Sequence, residues 1–505
     1  MDLRKQVERL NKIGIALSGE TNLRTLLELI LLEARGFTDS DAGSLYIKEN
    51  DKLSFEVAQN NTLDKRGGGK EVFKPFPLPM TKKSIAGYAA ITGKILNIED
   101  VYEIPATEEY SFNPDFDKRN NYRTKSMLVV PMMDHEEEII GVLQLINSIS
   151  EYSKVNTFDK EYEDLVSSLA SQAAVAIRNA RLIDDIKKLF ESLVQYSASA
   201  IDARSPHTAG HSKRVAQLAI RVAKAINKMN GGPFAERFFT QPELEELSYA
   251  AWLHDIGKIG VREFVLEKTN KLSDDRIDSI MNRFALIKSS IEKRFMEEKI
   301  IFIESGRKDE EYLKEIEEGM KRYIKEVDED IEFLTRINKA NFTSNEDIKR
   351  LENISKKRYL SSSGKEEYYL TEFEYSNLSV RKGNLTPDEY KIIQSHVMHT
   401  INILNNIPFT KNLRKVPVFA AAHHEMLNGT GYPGGLKDRE IPVQARILCI
   451  VDIFDALTAG DRPYRPSIPL DKALNMLKSE AKENCLDSNI VELFISERLY
   501  EDIDD

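Results

Sequence analysis

The sequence has little cysteine and no long apolar run. Only Cys449 and Cys485 occur among 505 residues, which excludes a disulfide framework and is typical of a reducing compartment. Any metal site must then rely on nitrogen and oxygen ligands. No apolar stretch approaches the roughly 20 residues of a membrane-spanning helix, and the polar start MDLRKQVERL lacks a signal-peptide core. We therefore expect a cytoplasmic protein without a membrane span.

The chain also lacks an excess of positive charge. Its formal net charge of −11 disfavours a broad surface for a nucleic-acid polymer or an anionic membrane, although a local basic pocket could hold a small phosphodiester. The hydrophobic fraction of 41% and the charged fraction of 30% are those of globular proteins. With this length, they predict about two to four folded domains.

Residues 1–158 carry the pattern of a mixed α+β domain. A helical pattern covers 6–35, with a point near Gly19 where it could divide, and another covers about 82–92. Four segments have the composition of strands: SLYI from Ser44, LSFEV from Leu53, SMLVVPM from Ser126 and IIGVLQLIN from Ile139. The lone His135 lies in the turn between the last two segments, where we expect it to be exposed and without function.

The segment NPDFDKRNNYRTKSMLVVPMMDHEEEIIGVLQLIN resembles part of a GAF domain, in particular of members that bind cyclic nucleotides. Asn147, Phe158 and Glu163 fit the pattern of those members, whereas Ser148 and Tyr162 depart from it. The resemblance implies either a sensor of a small molecule or a dimerisation domain without a ligand. The residues do not decide between these two interpretations.

A helical pattern without proline or glycine covers 159–200. Its apolar positions near heptad spacing are Leu165, Leu169, Ala176, Ile183, Ile186 and Leu193. We predict a connecting helix that pairs with its copy in a homodimer; the alternative is an amphipathic helix packed on its own domain. Further along, 272–385 interrupts the C-terminal part with two charged helical stripes, which predict a helical hairpin insertion.

Seven of the eight histidines lie beyond residue 200, mostly in closely spaced sets. The sets are His207 with His211, His254 with Asp255, His396 with His399, and His423 with His424. A helix starting at Pro206 would put the first two histidines on one face, and Pro387 is expected to begin the helix of the third set. The fourth set ends an apolar helix, and adjacent helical residues diverge by about 100°, which suits two neighbouring metals.

Two carboxylates, Asp452 and Asp455, lie one turn apart in the otherwise apolar helix ARILCIVDIFDALTAG. Buried carboxylates require partners, and a metal cluster would supply them. For any single one of these residues a packing or surface role would be the better interpretation. Their joint occurrence favours one centre, because imidazole and carboxylate together bind borderline transition metals.

The order of these motifs resembles that of the HD-GYP phosphodiesterases. The motifs are HD, a single histidine, HHE with GYP, D-x-x-D-A and R-P-Y-R, and the resemblance covers about 200–500 except the insertion. It implies an all-helical domain that hydrolyses the bacterial messenger cyclic di-guanylate (cyclic di-GMP). It also implies a site of two or three divalent metals, commonly iron, with manganese as an alternative.

The resemblance assigns roles residue by residue. It implies metal binding by His211, His254, Asp255, His396, His423, His424 and Asp452. Asp255 would bridge two ions, His207 occupies the position of a ligand in three-metal members, and His399 matches no ligand. Lys258 is expected to neutralise a phosphate oxygen as charge builds up in the transition state.

Substrate contacts are expected around the loop and the last motifs. The residues concerned are Lys258, Gly431, Tyr432, Pro433, Asp455, Arg462 and Arg465. The two arginines could alternatively tie the last helices together. One departure from the family follows HHE, where Met426, Leu427 and Asn428 replace the usual Arg-Trp-Asp.

We therefore predict a metal-dependent phosphodiesterase that converts cyclic di-GMP to pGpG, GMP or both. Its predicted parts are a regulatory GAF-like domain over 1–158, a connecting helix over 159–200 and an HD-GYP domain over 201–505. One alternative is a catalytically silent receptor or scaffold that binds the dinucleotide or a partner protein. The other is an HD-type phosphohydrolase of another nucleotide.

Overall fold

The computed structural model describes residues 3–20, 22–66, 76–150, 154–204, 210–229, 231–361, 364–459 and 468–501. The chain divides into two compact units, Met1–Glu191 and Ser192–Asp505. This division falls inside one long helix, whereas the sequence predicted boundaries at 158 and 200, which stay predictions. Each unit is described by itself.

The first unit contains an antiparallel sheet with helices on both faces. Its helices are α1 (Leu3–Gly19), α2 (Leu23–Thr38), α3 (Asn61–Lys65), α4 (Ile85–Thr92), α5 (Asp115–Asn120) and the start of α6 (Lys160–Arg204). Its strands are β1 (Ser40–Glu49), β2 (Lys52–Asn60), β3 (Phe76–Pro79), β4 (Leu96–Ile98), β5 (Met127–Met133), β6 (Ile139–Ile149) and β7 (Val155–Asn156). The order in the sheet is β3-β2-β1-β6-β5-β4, and β7 pairs with β6.

Alternation along the strands divides the apolar side chains between two cores. Leu45 and Ile47 of β1 face the core formed with α1, α2 and the first half of α6, whereas Tyr46 faces the core beside α4. Helix α2 begins at Asn22, whose side chain accepts a hydrogen bond from the amide of Thr25. The predicted α+β domain is confirmed, including the division of its first helical pattern and the exposed turn at His135.

Helix α6 has two different surroundings along its length. Its first half supplies Val166, Leu169, Ala173 and Ile177 to the core of the first unit, where all four are fully buried. Beyond Ala180 a stripe of large apolar residues is exposed instead. The alternative of a helix packed on its own domain therefore holds for the first half only.

The second unit is helical apart from one small hairpin among its described residues. Its helices are α7 (His211–Ile226), α8 (Gln241–Leu253), α9 (Glu263–Leu266), α10 (Asp274–Glu304), α11 (Glu310–Asn338), α12 (Asn345–Lys356), α13 (Glu372–Leu378), α14 (Pro387–Asn405), α15 (Val416–Ala421), α16 (Val443–Thr458), α17 (Leu470–Lys482) and α18 (Ser488–Ser496). The hairpin consists of β8 (Arg358–Leu360) and β9 (Glu366–Tyr368). Short 3₁₀ turns cover Val101–Glu103 in the first unit and Ile256–Gly260, Lys411–Leu413 and Asp438–Glu440 in the second.

Helices α10 and α11 confirm the predicted helical hairpin insertion. The strands β8 and β9 were not predicted and are a small exception to an all-helical domain. The insertion has its own apolar core, in which Phe284 of α10 and Leu334 of α11 are fully buried. Within the part of the chain that the structure describes, no helix combines the length and apolar character needed to span a bilayer.

Candidate metal centre

The predicted ligands come from five segments of the second unit. His211 is the first residue of α7, His254 and Asp255 follow α8, and His396 lies in the middle of α14. His423 and His424 follow α15, and Asp452 lies on α16. All of these side chains are buried except that of His424, which is 24% exposed.

The ligands form two groups around Asp255. His211, His254 and Asp452 offer ligand atoms within 4.8 Å of one another, and so do His396, His423 and His424. Oδ2 of Asp255 lies 3.3 Å from Nε2 of His254, in the first group. Its other oxygen, Oδ1, lies 3.3 Å from Nε2 of His396, in the second group. This carboxylate is therefore oriented to bridge two metal ions.

Several potential ligand atoms of the site are buried and make no hydrogen bond. Among the described residues, Oδ1 of Asp255, Nε2 of His396 and Nε2 of His423 are buried without a hydrogen-bond partner. Such atoms are costly unless a ligand satisfies them. The residues present therefore fit a metal centre.

Backbone carbonyls fix the orientation of three of the rings. Nδ1 of His254 lies 2.7 Å from the carbonyl oxygen of Ala251, and Nδ1 of His396 and of His423 make equivalent contacts of 2.6 Å. A proton on Nδ1 satisfies the carbonyl and leaves Nε2 as the ligand atom, as is usual for metal-binding histidines.

The protonation of the second group favours ligation. Burial lowers the pKa of His423 well below its usual value and lowers that of His424 to about 4. Both rings are therefore neutral, and only a neutral imidazole can bind a metal. Burial opposes ionisation of Asp255, but Lys258 and His254 lower the pKa of this carboxyl well below its usual range.

The backbone at Gly257, just after His254 and Asp255, lies very close to the backbone of α14. A Cβ atom on Gly257 would lie 2.0 Å from the carbonyl oxygen of His396 and 2.4 Å from the amide nitrogen of Thr400. The fully buried hydroxyl of Thr400 accepts a hydrogen bond from the amide of Gly257 and donates one to the carbonyl of His254. Glycine at 257 therefore lets His396 reach Asp255.

Lys258 lies at the edge of the centre. Its Nζ is 2.5 Å from Oδ2 of Asp255, and its side chain is 21% exposed. Burial acts against its charge, but Asp255 raises its pKa above the usual value, so the side chain is a cation. A partly exposed cation next to the bridging carboxylate can reach an anion that enters the site.

Glu425 fixes the loop that contains Gly431, Tyr432 and Pro433, which is called the GYP loop below and lies next to the second group. The buried carboxylate of Glu425 accepts hydrogen bonds from the amides of Gly434 at 2.6 Å and Leu436 at 2.8 Å. A Cβ on Gly431 would lie 2.3 Å from a backbone nitrogen, so the loop folds tightly here. The ring of Tyr432 lies 4.7 Å from that of His424, and the Tyr432–Pro433 peptide bond is cis.

Asp455 contacts a ligand and an arginine. One oxygen lies 2.8 Å from Nδ1 of His211, and both oxygens accept hydrogen bonds from the guanidinium of Arg214. The carboxylate is 5% exposed. This arrangement orients the ring of His211 so that Nε2 faces the centre, whereas the substrate contact expected of Asp455 stays a prediction.

Three of the predicted site residues, His207, Arg462 and Arg465, lie outside the described residues. His399 belongs to neither group, and its ring packs against Gly260.

Helix α7 begins at His211, and the helix start expected at Pro206 lies outside the described residues. One local expectation was wrong. His423 and His424 follow the last residue of α15, so their divergence does not come from helix geometry.

Sequence reasoning missed Glu425, Thr400 and Arg214. Glu425 binds the amides of the glycine-rich loop, Thr400 binds the backbone around the HD pair, and Arg214 binds the carboxylate of Asp455. The signal for Glu425 was present, because a carboxylate next to two histidines and before a glycine-rich loop has free backbone amides within reach. Thr400 and Arg214 leave no comparable sign, since their partners are distant in sequence.

Comparison with known families agrees with the division of the chain. The GAF domain matches residues 22–177, and two HD domain profiles match 208–336 and 373–490. The chain therefore contains a GAF domain followed by segments of the HD type. The prediction of an N-terminal GAF domain ahead of an HD-type domain is confirmed.

Curated relatives match parts of the chain. A protein of Vibrio cholerae, the 3'3'-cGAMP-specific phosphodiesterase 3, is 43% identical over 98 residues, which is 19% of this chain and 20% of that one. The cyclic di-GMP phosphodiesterase of Thermotoga maritima is 32% identical over 137 residues, 24% of this chain and 36% of that one. The match thus spans about a third or less of these relatives. Among solved structures, the GAF domain from the Acinetobacter phosphoenolpyruvate-protein phosphotransferase is 17% identical with a TM-score of 0.27, covering 36% of this chain and 98% of that one.

Proposed function

We propose that the protein is a metal-dependent phosphodiesterase that hydrolyses cyclic di-GMP to pGpG, GMP or both. The observation that carries the proposal is the pair of ligand groups that share Asp255, with buried donor atoms that lack partners. The names of the two curated relatives support the class of substrate.

The proposed centre would hold two ions, one by His211, His254 and Asp452 and the other by His396, His423 and His424. Asp255 is shared between them. We propose iron from the family resemblance, with manganese as the alternative, since nitrogen and oxygen ligands accept both. A third ion would need His207. When bound, a pair of such ions polarises the phosphoryl group and stabilises the entering and departing oxygens of the displacement.

The residues of the chain position the substrate and its charge. Lys258 would neutralise a nonbridging phosphate oxygen as negative charge builds up in the transition state. Tyr432, whose ring is tilted against that of His424 at 4.7 Å, lies in the loop fixed by Glu425 and would offer an aromatic surface next to the ions. Gly431 and Pro433 would shape this loop, and Asp455 would keep His211 in its ligand orientation.

A second candidate substrate is 3'3'-cGAMP, because a relative that is 43% identical over its matched part carries that specificity in its name. The departure at Met426, Leu427 and Asn428 lies at the start of the loop that would contact the bases. A catalytically silent receptor is the remaining alternative, and it predicts dinucleotide binding without turnover.

The test is to purify the protein anaerobically, count its metals and follow both cyclic dinucleotides by chromatography. We expect about two or more metals per chain and cleavage of at least one substrate. The variant Asp255→Asn should lose metal and turnover, whereas Asp471→Asn, which changes an exposed carboxylate on α17, should keep both. Full metal occupancy with binding but no cleavage would favour the receptor.

We further propose that the protein forms a homodimer through the exposed part of α6. Its exposed apolar residues alternate in steps of four and three, which is the spacing of a coiled-coil seam: Leu182, Ile186, Leu189, Leu193 and Tyr196. Leu189→Glu should convert the dimer to a monomer in light scattering. Gln195→Glu, an exposed position on the same helix away from the seam, should not.

The GAF domain is proposed to regulate turnover in response to a small molecule. In this chain Asn147 serves the fold, because its side chain bonds the Tyr122 hydroxyl and the backbone at Arg123 and Lys125. The proposed ligand therefore need not be a cyclic nucleotide. The proposed location is the cytoplasm, which agrees with two unpaired cysteines, Cys449 and Cys485.

A further inference from the structure

The last turn of α6 contacts two of the three segments that carry the first group of ligands. Asp202 and Arg204 lie in this turn, at the end of the helix that begins at Lys160. Asp202 contacts the start of α7, where His211 lies, and Arg204 contacts the 3₁₀ turn that follows Asp255. These two contacts belong to the second unit.

Asp202 caps α7 from outside. Its Oδ2 accepts a hydrogen bond of 3.0 Å from the amide of Ser212, and its Oδ1 accepts one of 3.0 Å from the Ser212 hydroxyl. The residue before α7 is Gly210, which has no side chain to cap the helix. A carboxylate satisfies the free amides at a helix start and is favoured by the positive end of the helix dipole. Because Asp202 is 4% exposed, solvent does not readily replace it.

The cap fixes a metal ligand through the backbone. Ser212 directly follows His211 in the chain. Nδ1 of the His211 ring lies 2.8 Å from a carboxylate oxygen of Asp455. The ring of His211 is thus fixed by Asp455 while its backbone is fixed by Asp202. Between these two contacts, Nε2 of His211 lies 3.2 Å from Oδ1 of Asp452.

Arg204 fixes the segment after the HD pair. Its guanidinium donates to the carbonyl oxygen of Ile259 at 2.7 Å and to that of Val261 at 3.3 Å. These carbonyls flank the end of the 3₁₀ turn Ile256–Gly260, which contains Lys258. A forked donor to two carbonyls holds this turn more firmly than one hydrogen bond would.

We propose that Asp202 and Arg204 are positioning residues of the metal centre. They fix the backbones that present His211, Asp255 and Lys258, without contacting metal or substrate themselves. The proposal rests on the proposed function for its effect on turnover, but its effect on metal retention does not depend on which substrate is cleaved.

The first test measures metal retention in the full chain. Manganese-loaded wild type, Asp202→Asn and Arg204→Ala are mixed with excess EDTA, and the metal left on the protein is followed over time. Removal of an outer-shell partner typically costs about 10–100-fold in metal affinity, so each variant should release manganese about 10-fold faster. The controls are Asp184→Asn and Arg181→Ala, which make the same changes elsewhere on α6.

The second test separates positioning from folding. With an active substrate, Arg204→Ala should lower kcat about 10-fold with little change in KM, and Arg204→Lys should restore part of it. Variants that melt at a lower temperature but release manganese at the wild-type rate would overturn the proposal. A wild type that retains manganese without cleaving either dinucleotide would overturn the proposed function alone, and the release rates would still decide this inference.

Discussion

The substitution Gly257→Ala should disrupt the centre although residue 257 is no ligand. The added methyl group would lie 2.0 Å from the carbonyl oxygen of His396, 2.4 Å from the amide nitrogen of Thr400 and 2.6 Å from its hydroxyl. Real Cβ contacts are essentially never shorter than 3.0 Å, so the two segments must separate by about 1 Å. Two of the three contacted atoms are backbone atoms of α14, so no side-chain rotation can relieve the clash.

The separation acts on both stability and ligation. Overpacking of this kind costs about 1–3 kcal/mol, which lowers the melting temperature. In the wild type, Nε2 of His396 lies 3.3 Å from Oδ1 of Asp255. The separation would increase this distance. A misplacement of about 1 Å can cost about 100-fold in rate.

The assay compares wild type, Gly257→Ala and Gly231→Ala by metal analysis, thermal unfolding and turnover. Gly231 lies in the same unit, has nothing within 4 Å of an added Cβ, and is therefore the matched control. We expect Gly257→Ala to lose metal from the second group and most of its activity. Wild-type metal content together with a wild-type melting temperature would refute the close packing of the HD segment on α14.

Three further predictions concern single side chains. Lys258→Gln should lower kcat by about 100-fold or more while the metal content stays unchanged, because it removes one cation from the transition state; an unchanged kcat would contradict its role. Glu425→Ala should raise KM without loss of metal, since two loop amides lose their acceptor, and steady-state kinetics with an unaltered KM would argue against this. Burial lowers the pKa of Lys271 to about 8. The unfolded chain, with a pKa near 10.4, therefore binds more protons above pH 8, and stability should gain from this group as the pH rises from about 8 to 10. Lys271→Met should lack that gain in urea unfolding at pH 7 and 9.5, and equal pH dependence in both proteins would contradict the assignment.

Local patterns in the sequence were sufficient to predict most of the longer helices and strands. Alternation predicted the strands at Leu53 and Ile139, and Pro387 marked the start of α14, where Thr386 and Glu389 form a capping box. Short or edge elements such as β3 and β4 escaped, because three or four residues carry too little periodicity to be distinguished from a loop.

The pairing of ligands into groups could not be read from spacing. Adjacent histidines suggested two neighbouring metals, which stays a prediction, because His423 forms a group with His396 and His424 and also one with His254 and Asp255. The nearness of His423 to His396, which lies on another helix, depends on the packing of α14 against the segment that contains Gly257. The contact of Asp455 with His211 and that of Asp202 with Ser212 are likewise recognisable only once separate helices have been brought together.

The insertion lies between Lys258 and His396 in the sequence, yet both side chains contact Asp255. Its two ends are joined by the buried ammonium of Lys271, which donates to the carbonyls of Leu378 and Val380 and to the Thr343 hydroxyl. Next to it, Lys268 pairs with Glu389 in the first turn of α14. The inserted segment also has its own core, so it draws little on the packing of the centre.

Because these contacts hold the two ends of the insertion together, the insertion should affect the metal centre no more than a short connecting loop would. The entropy cost of closing a loop grows only slowly with its length once the ends are fixed. Replacing 274–376 by a short glycine-serine linker should therefore leave the metal content unchanged, provided that Lys271 and its partners at 378 and 380 remain. Loss of metal in that variant, with a cooperative melting transition and the helix content by circular dichroism that the remaining helices predict, would show that the insertion supports the centre through contacts beyond its closed base.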